Sequence, residues 1–214
     1  MSSILIAVPC MEMVYANFMC CLMELQKPEN TKYTAIKSSL IYNARNEITK
    51  MAIDQEFDRV LWLDSDMIFA PDSLIKLNER MDEDKDFVSG LYFSRMEPIE
   101  PVIYKDVWWK LRDENTIDTG TYKYYDYPKE SIFQIAGSGF GIVMTSVDML
   151  KAVTKEYGAA FTPMIGMGED LSFCWRATQL GYKLYCDSSI KCGHMGPKIF
   201  GESMYLADKN EYKV

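Results

Sequence analysis

Arg59-Val60-Leu61-Trp62-Leu63-Asp64-Ser65-Asp66-Met67-Ile68-Phe69 is an apolar run that ends in two carboxylates one serine apart. Val60 to Leu63 suit a strand buried on both faces, as in a parallel sheet. An Asp-x-Asp at the carboxyl end of such a strand lies where open α/β sheets hold their ligands. Two carboxylates that close raise each other's pKa unless a cation keeps them ionised, and a divalent metal is the natural cation. Magnesium and manganese take oxygen ligands, commonly one or two carboxylates completed by phosphate oxygens and water, so the pair implies a phosphate-bearing ligand as much as a metal. A merely solvated acidic turn is the alternative, and the apolar residues on both sides count against it.

Outward from this stretch, short apolar runs alternate with helical patterns, the mark of βαβ units around a mostly parallel sheet. Ile4 to Val8 reads as a strand that Pro9 ends, and Val14, Phe18, Leu22 and Leu25 recur at helical spacing until Lys27-Pro28. Thr31 to Lys37 is a second strand. Leu40 to about Gln55 is a helix with Ile41, Ala44, Ile48 and Ala52 on one face. Pro71 and Asp72 open a helix through Leu74, Leu77 and Met81, and Phe87 to Phe93 returns as a strand. From about Pro98 to Ser131 the period is lost among Trp108, Trp109, Tyr122, Tyr124, Tyr125 and Tyr127, as in an irregular hairpin or a loop lining a cleft. Ile132 to Thr145 is strand-like, Val147 to Val153 helical, Glu169 to Leu180 a helix stopped by Gly181, and Lys183 to Cys186 a strand.

The 214 residues fit one domain with a sizeable core, and the net charge of -8 argues against capture of nucleic acid or anionic membrane by a basic patch. No run approaches the roughly 18 to 20 apolar residues of a membrane span. The opening Met1 to Val8 lacks the charged start of a signal peptide, so a soluble cytoplasmic protein is expected. The six cysteines form no Cys-x-x-Cys pair and read as reduced, buried thiols. Cys186, Cys192 and His194 match no common zinc spacing.

Three further constellations can carry chemistry. His194, the one histidine, sits between Gly193 and Met195-Gly196, where backbone can approach a ligand, and imidazole suits manganese; Lys198 is a point charge for a phosphate. Gly168-Glu169-Asp170 sets two carboxylates at a helix start, which dipole compensation alone would explain, or which makes Asp170 a fixed general base with Glu169 beside it. Arg45 and Asn46, near the start of the second helix, could hold a phosphate, or Arg45 could be an exposed partner of Glu47 or Glu56. Gly137-Ser138-Gly139 is either a bulge in a sheet or a close approach of backbone to a sugar ring.

The ordered set resembles glycosyltransferases of the GT-A fold, especially small family-2-like enzymes of bacteria and phages. It comprises Ala7-Val8-Pro9, Ala44-Arg45-Asn46, Phe57 to Asp66, Ile135 to Phe140, Gly168 to Cys174 with Gly181-Tyr182, and a closing His-x-Gly. The resemblance implies a single α/β domain of Rossmann-like build, a mostly parallel sheet flanked by helices. A nucleotide-sugar-binding half would span about 1–95 and an acceptor and catalytic half about 96–214. It implies a hexosyltransferase-like enzyme using Mn2+ or Mg2+ and a nucleoside-diphosphate sugar, UDP-sugar favoured, with an unknown hydroxyl acceptor. Asp66 would bind the metal, Asp64 the metal or donor ribose, and His194 would complete the metal shell. Pro9 and Met11 would hold the base, Ser65 and Gly139 would lie on the donor, and Arg45, Asn46 and Lys198 would meet base or diphosphate. Asp170, with Glu169, matches the base of inverting members. The compact closing element and the short chain after Phe200 depart from the pattern. The competing readings are a haloacid-dehalogenase-type phosphohydrolase, whose motif would lie nearer the amino terminus, and a non-catalytic nucleotide-sugar-binding protein. The aromatic segment 104–127 could stack on an acceptor, pack as a hairpin, or form a homodimer contact.

Overall fold

In the computed structural model, which describes residues 2–114, 116–196 and 199–211, Val60 to Leu63 are wholly buried near the middle of a seven-stranded sheet. The first half runs β1 (Ile4–Cys10), α1 (Ala16–Glu24), β2 (Thr31–Lys37), α2 (Ile41–Asp54), β3 (Arg59–Leu63), β4 (Met67–Ile68), α3 (Ser73–Met81) and β5 (Phe87–Leu91). Then come β6 (Ile103–Asp113), β7 (Thr116–Lys123), β8 (Ile132–Ile135), β9 (Gly137–Ser138), β10 (Ile142–Ser146), α4 (Val147–Tyr157) and α5 (Glu169–Gln179). The chain closes through β11 (Leu184–Lys191), β12 (Gly193–Met195), β13 (Ile199–Phe200) and α6 (Glu202–Glu211). The strand order of the main sheet is β2-β1-β3-β10-β5-β11-β8. The β2/β1, β1/β3 and β5/β11 pairs are parallel, and β10 runs antiparallel between β3 and β5.

Helices cover both faces, which is why the inner strands β1, β3 and β5 are buried almost throughout rather than on alternate residues, while the edge strand β2 is largely exposed. Ile4, Ile6, Val8, Leu61 and Leu63 pack with Phe18, Leu22, Leu74 and Leu77 on one side. Leu5, Ala7, Val60 and Trp62 pack with Ile48, Ala52, Leu150 and Phe173 on the other. The fold is thus one α/β domain with a mixed sheet flanked by helices. Among the described residues no helix is long and apolar enough to cross a membrane.

Several elements differ from the sequence expectation. The sheet is mixed, with as many antiparallel as parallel pairings, because β10 is inserted antiparallel and β8 pairs antiparallel with β11. Strand β1 continues through Pro9 to Cys10: Ile4 and Cys10 bond toward β2, so Pro9 turns its missing N–H toward β3, whose ladder has ended at Ala7. The span Ile132 to Thr145 divides into three strands that join two different sheets. The aromatic segment is a hairpin, β6 with β7, whose inner strand also pairs with β9. The chain after Phe200 is not merely short: α6 docks Tyr205 onto Phe93 and Tyr127. Gly181, at φ 87°, ends α5 as expected.

Candidate functional site

The carboxyl end of β3 is held in place by backbone. The Asp64 N–H donates to the Gly141 carbonyl at 3.0 Å, and Met67 N–H to the Asp64 carbonyl at 3.2 Å, turning the chain into β4. Strand β4 pairs with β12, setting His194 opposite Met67, and Met195 N–H donates to the Asp66 carbonyl at 2.8 Å. This small second sheet, β13-β12-β4, brings together two residues 128 positions apart in sequence, Asp66 and His194. His194 Nε2 lies 3.4 Å from Asp66 Oδ2. On the other side of the ring, Nδ1 lies 3.0 Å from the Phe93 carbonyl, which only accepts, so Nδ1 carries the hydrogen. Nε2 therefore faces a carboxylate oxygen: as imidazolium it donates a hydrogen bond to Asp66, and as neutral imidazole it would turn a lone pair on that oxygen, a pairing that needs a cation between them.

Burial works against ionisation of Asp66, but the hydrogen bond and charge of His194 and the charge of Arg95 outweigh it and hold the carboxyl below its ordinary range. The Arg95 guanidinium pairs directly with the same Oδ2. Arg95 lies just past the end of β5, on a tight loop in which Ser94 N–H donates to the Glu100 carbonyl at 2.8 Å.

Asp64 faces the other way. Its Oδ1 accepts from Arg45 Nη2 at 2.8 Å, while Arg45 Nη1 donates to Glu169. Arg45 is only 3% exposed and lies over the rings of Phe140 and Phe161. Burial raises the pKa of Asp64, and Arg45 draws it back in part. Next to Glu169, Asp170 accepts the Leu171 N–H at 2.7 Å, and burial pushes its carboxyl up to about 6 against the pull of Arg45. The Tyr104 hydroxyl is pushed up to about 12 by burial and by the charge of Asp170, so Tyr104 borders the same space.

The structure therefore gathers Asp64, Asp66, His194, Glu169 and Asp170, with Arg45 tying the two halves. It corrects several single assignments. Arg45 is not an exposed partner of Glu47 or Glu56, nor is it open to a phosphate, because its terminal nitrogens are taken by Asp64 and Glu169 inside the protein. Asn46 clamps the backbone of Phe161 on both its N–H and carbonyl. Gly139 is buried, and its open side is filled by the Tyr92 hydroxyl and Val102, so its bareness serves ring packing and not a sugar. Lys198 lies outside the described residues. Among the described residues no three His, Cys, Asp or Glu side chains stand arranged around one metal position, since Asp64 turns from Asp66 toward Arg45. Pro9 is buried within β1, whereas Met11 is exposed and, with Met13 and Tyr15, lines a cleft of about 590 Å³. Tyr15 N–H reaches the Ser65 carbonyl at 3.5 Å, which sets that cleft beside the acidic loop. A second cleft of about 670 Å³, around Asp58, Arg59 and Lys151, lies at the amino end of β3, the wrong edge of the sheet for a ligand of these carboxylates.

Two contributors were not anticipated. Arg95 follows the end of a predicted strand, so the rule that singled out Asp64 would have found it. Tyr92 accepts the Gly141 N–H at 3.1 Å and meets the His194 ring edge-on, and its role is visible only through the bare glycines at 139 and 141.

No model of a known protein family matches the chain, and no curated protein matches it in sequence. Among solved structures it is similar to A197 from STIV, at a TM-score of 0.66 and 18% identity, over 91% of this chain and 86% of that one. At that identity the likeness bears on the fold alone.

Proposed function

We propose that this chain is a metal-dependent glycosyltransferase of the GT-A type, moving a sugar from a nucleoside diphosphate, UDP favoured, to a hydroxyl acceptor. The observation that carries the reading is the facing pair of His194 Nε2 and Asp66 Oδ2, with the imidazole tautomer fixed by Phe93. In the neutral imidazole, Nε2 and the carboxylate oxygen would turn their lone pairs toward one position, a donor pair that suits manganese or magnesium, and the carbonyl behind the ring is the usual second support of a metal-bound histidine. Asp64, turned from that position toward Arg45, would meet the donor ribose. Bound there, the metal would supply charge neutralisation for the departing nucleoside diphosphate.

Asp170 does the proton work. With its carboxyl at about 6 it is mostly ionised at neutral pH yet more basic than an ordinary aspartate. It takes the acceptor hydroxyl proton as that oxygen bonds to the anomeric carbon and the bond from sugar to phosphate breaks. Arg45 and Glu169 position it and touch no substrate. The Arg45 bond on Asp64 counts against the phosphohydrolase alternative, which needs that carboxylate as a free nucleophile. The expected results are thermal stabilisation by UDP only with Mn2+ or Mg2+, and slow metal-dependent release of UDP from a UDP-sugar. No response to any nucleotide with either metal would remove the transferase reading.

A further inference from the structure

We infer that Arg95 is a movable cation of this site, which holds Asp66 while no metal is bound and turns to the donor's diphosphate when the metal takes its place. The inference rests on the transferase reading. Its starting point is that one oxygen, Asp66 Oδ2, is shared by two groups: His194 Nε2 and the Arg95 guanidinium. A divalent cation bound between Asp66 and His194 would meet the guanidinium's positive charge at the same oxygen, and the two cannot both keep it.

The two arginines of the site are built differently for this purpose. Arg45 is locked inside the protein over two phenylalanine rings. Arg95 is 49% exposed, while the carboxylate it holds is 15% exposed. It projects from a loop fastened at its base: the Ser94 N–H donates to the Glu100 carbonyl and the Glu100 N–H to Ser94 Oγ at 3.0 Å. The root of the side chain is therefore fixed, and its free end can swing in solvent. Once displaced, the guanidinium remains beside the metal, where phosphate oxygens would complete the coordination. A planar fork of donors suits a diphosphate better than a point charge would. Arg95 thus takes the donor-binding part that Arg45, buried and with both terminal nitrogens held by Asp64 and Glu169, is unable to play.

The test uses calorimetric titrations of the whole chain carrying Arg95→Gln. Mn2+ alone should bind the variant at least about fivefold more tightly than the wild type, since a partly exposed ion pair no longer has to be broken. UDP titrated at saturating Mn2+ should bind the variant at least about tenfold more weakly, from loss of a charge-assisted bond. Arg95→Lys should fall between the two in the UDP titration, keeping charge without the fork. A pair with a structural role alone would not move the two affinities in opposite directions. Equal Mn2+ affinity in wild type and variant overturns the competition, and unchanged UDP affinity overturns the diphosphate contact. If neither protein binds Mn2+, the transferase reading and this inference fall together.

Discussion

Replacing Arg45 by methionine tests whether the two halves of the site are held by one buried charge. The guanidinium is 3% exposed and bonds Asp64 and Glu169, and its charge also acts on Asp170. Arg45→Met keeps most of the volume above Phe140 and Phe161 but leaves three carboxylates without their common counter-charge. Removing one partner of a buried ion pair costs about 3–5 kcal/mol. Asp64 retains 30% exposure of its side chain, so solvent screens part of its share and about 3 kcal/mol is the better figure. For a chain of this length that lowers Tm by about 6–12 °C near neutral pH.

The loss carries a sign in pH. Asp64 and Asp170 already titrate above their ordinary values because of burial, with Arg45 opposing the shift. Without Arg45 their folded-state pKa values rise further. A carboxyl raised on folding contributes stability fully present below its unfolded pKa and lost as pH rises through its folded one. Arg45→Met is therefore least destabilised at about pH 5, where these groups hold protons, and most at about pH 8. Thermal melts of both proteins at the two pH values, with circular dichroism to follow the fold, measure this. A Tm loss under about 3 °C, or one of equal size at both pH values, would refute the role given to Arg45.

Asp170→Asn should abolish sugar transfer while leaving UDP affinity with Mn2+ within about twofold, because the base takes its proton in the reaction and is not needed for binding. It should also raise stability above about pH 7 by about 2 kcal/mol, removing the cost of a buried carboxylate whose pKa is pushed up to about 6, and chemical denaturation would record it. Wild-type transfer should rise with pH through about 6 as Asp170 loses its proton, and a rate flat across that range would exclude it as the base. Asp66→Ala should weaken Mn2+ and UDP binding together, read by calorimetry. Gly139→Ala should cost about 1–3 kcal/mol in denaturant unfolding, since a Cβ there would overlap the Tyr92 hydroxyl and force that ring from Gly141 and His194.

What the sequence made legible follows from what is local. Val60 to Leu63 declared a strand buried on both faces, and Asp64 and Asp66 an acidic strand end, because composition and neighbours suffice for both. The helix carrying Glu169 and Asp170 was readable from its period and its closing glycine. Pairings set at long range were not. The antiparallel insertion of β10 depends on a partner choice between β3 and β5 that no local pattern encodes. The sheet of β4, β12 and β13 consists of strands two or three residues long, below any periodicity, yet it is what sets His194 against Asp66. Arg45 was misjudged because nothing near it in sequence supplies its partners: one lies 19 residues away and the other 124.

The charge balance of the assembled site follows from that long-range assembly and bears on its ligand. Asp64, Asp66, Glu169 and Asp170 face two guanidiniums, Arg45 and Arg95, and a histidine whose Nε2 lies against a carboxylate. With all four carboxylates ionised and the imidazole neutral, two negative charges are left over, the charge that one divalent cation removes. Leaving that charge uncompensated would be costly for the buried members of the site, and burial already raises the pKa of Asp64 and Asp170. With the metal bound, the sum is zero while the freed Arg95 guanidinium stays near and one negative charge if it leaves, so what a diphosphate finds there is a metal and a guanidinium released from its carboxylate. Metal and donor would therefore bind cooperatively, each weakening when the other is withheld, as linkage requires of two ligands coupled through one residue. Titrating UDP at increasing Mn2+ gives the coupling factor, which Mn2+ titrated at increasing UDP must match by linkage, and Arg95→Gln should reduce it; a factor that survives the substitution unchanged would show that the coupling does not pass through Arg95.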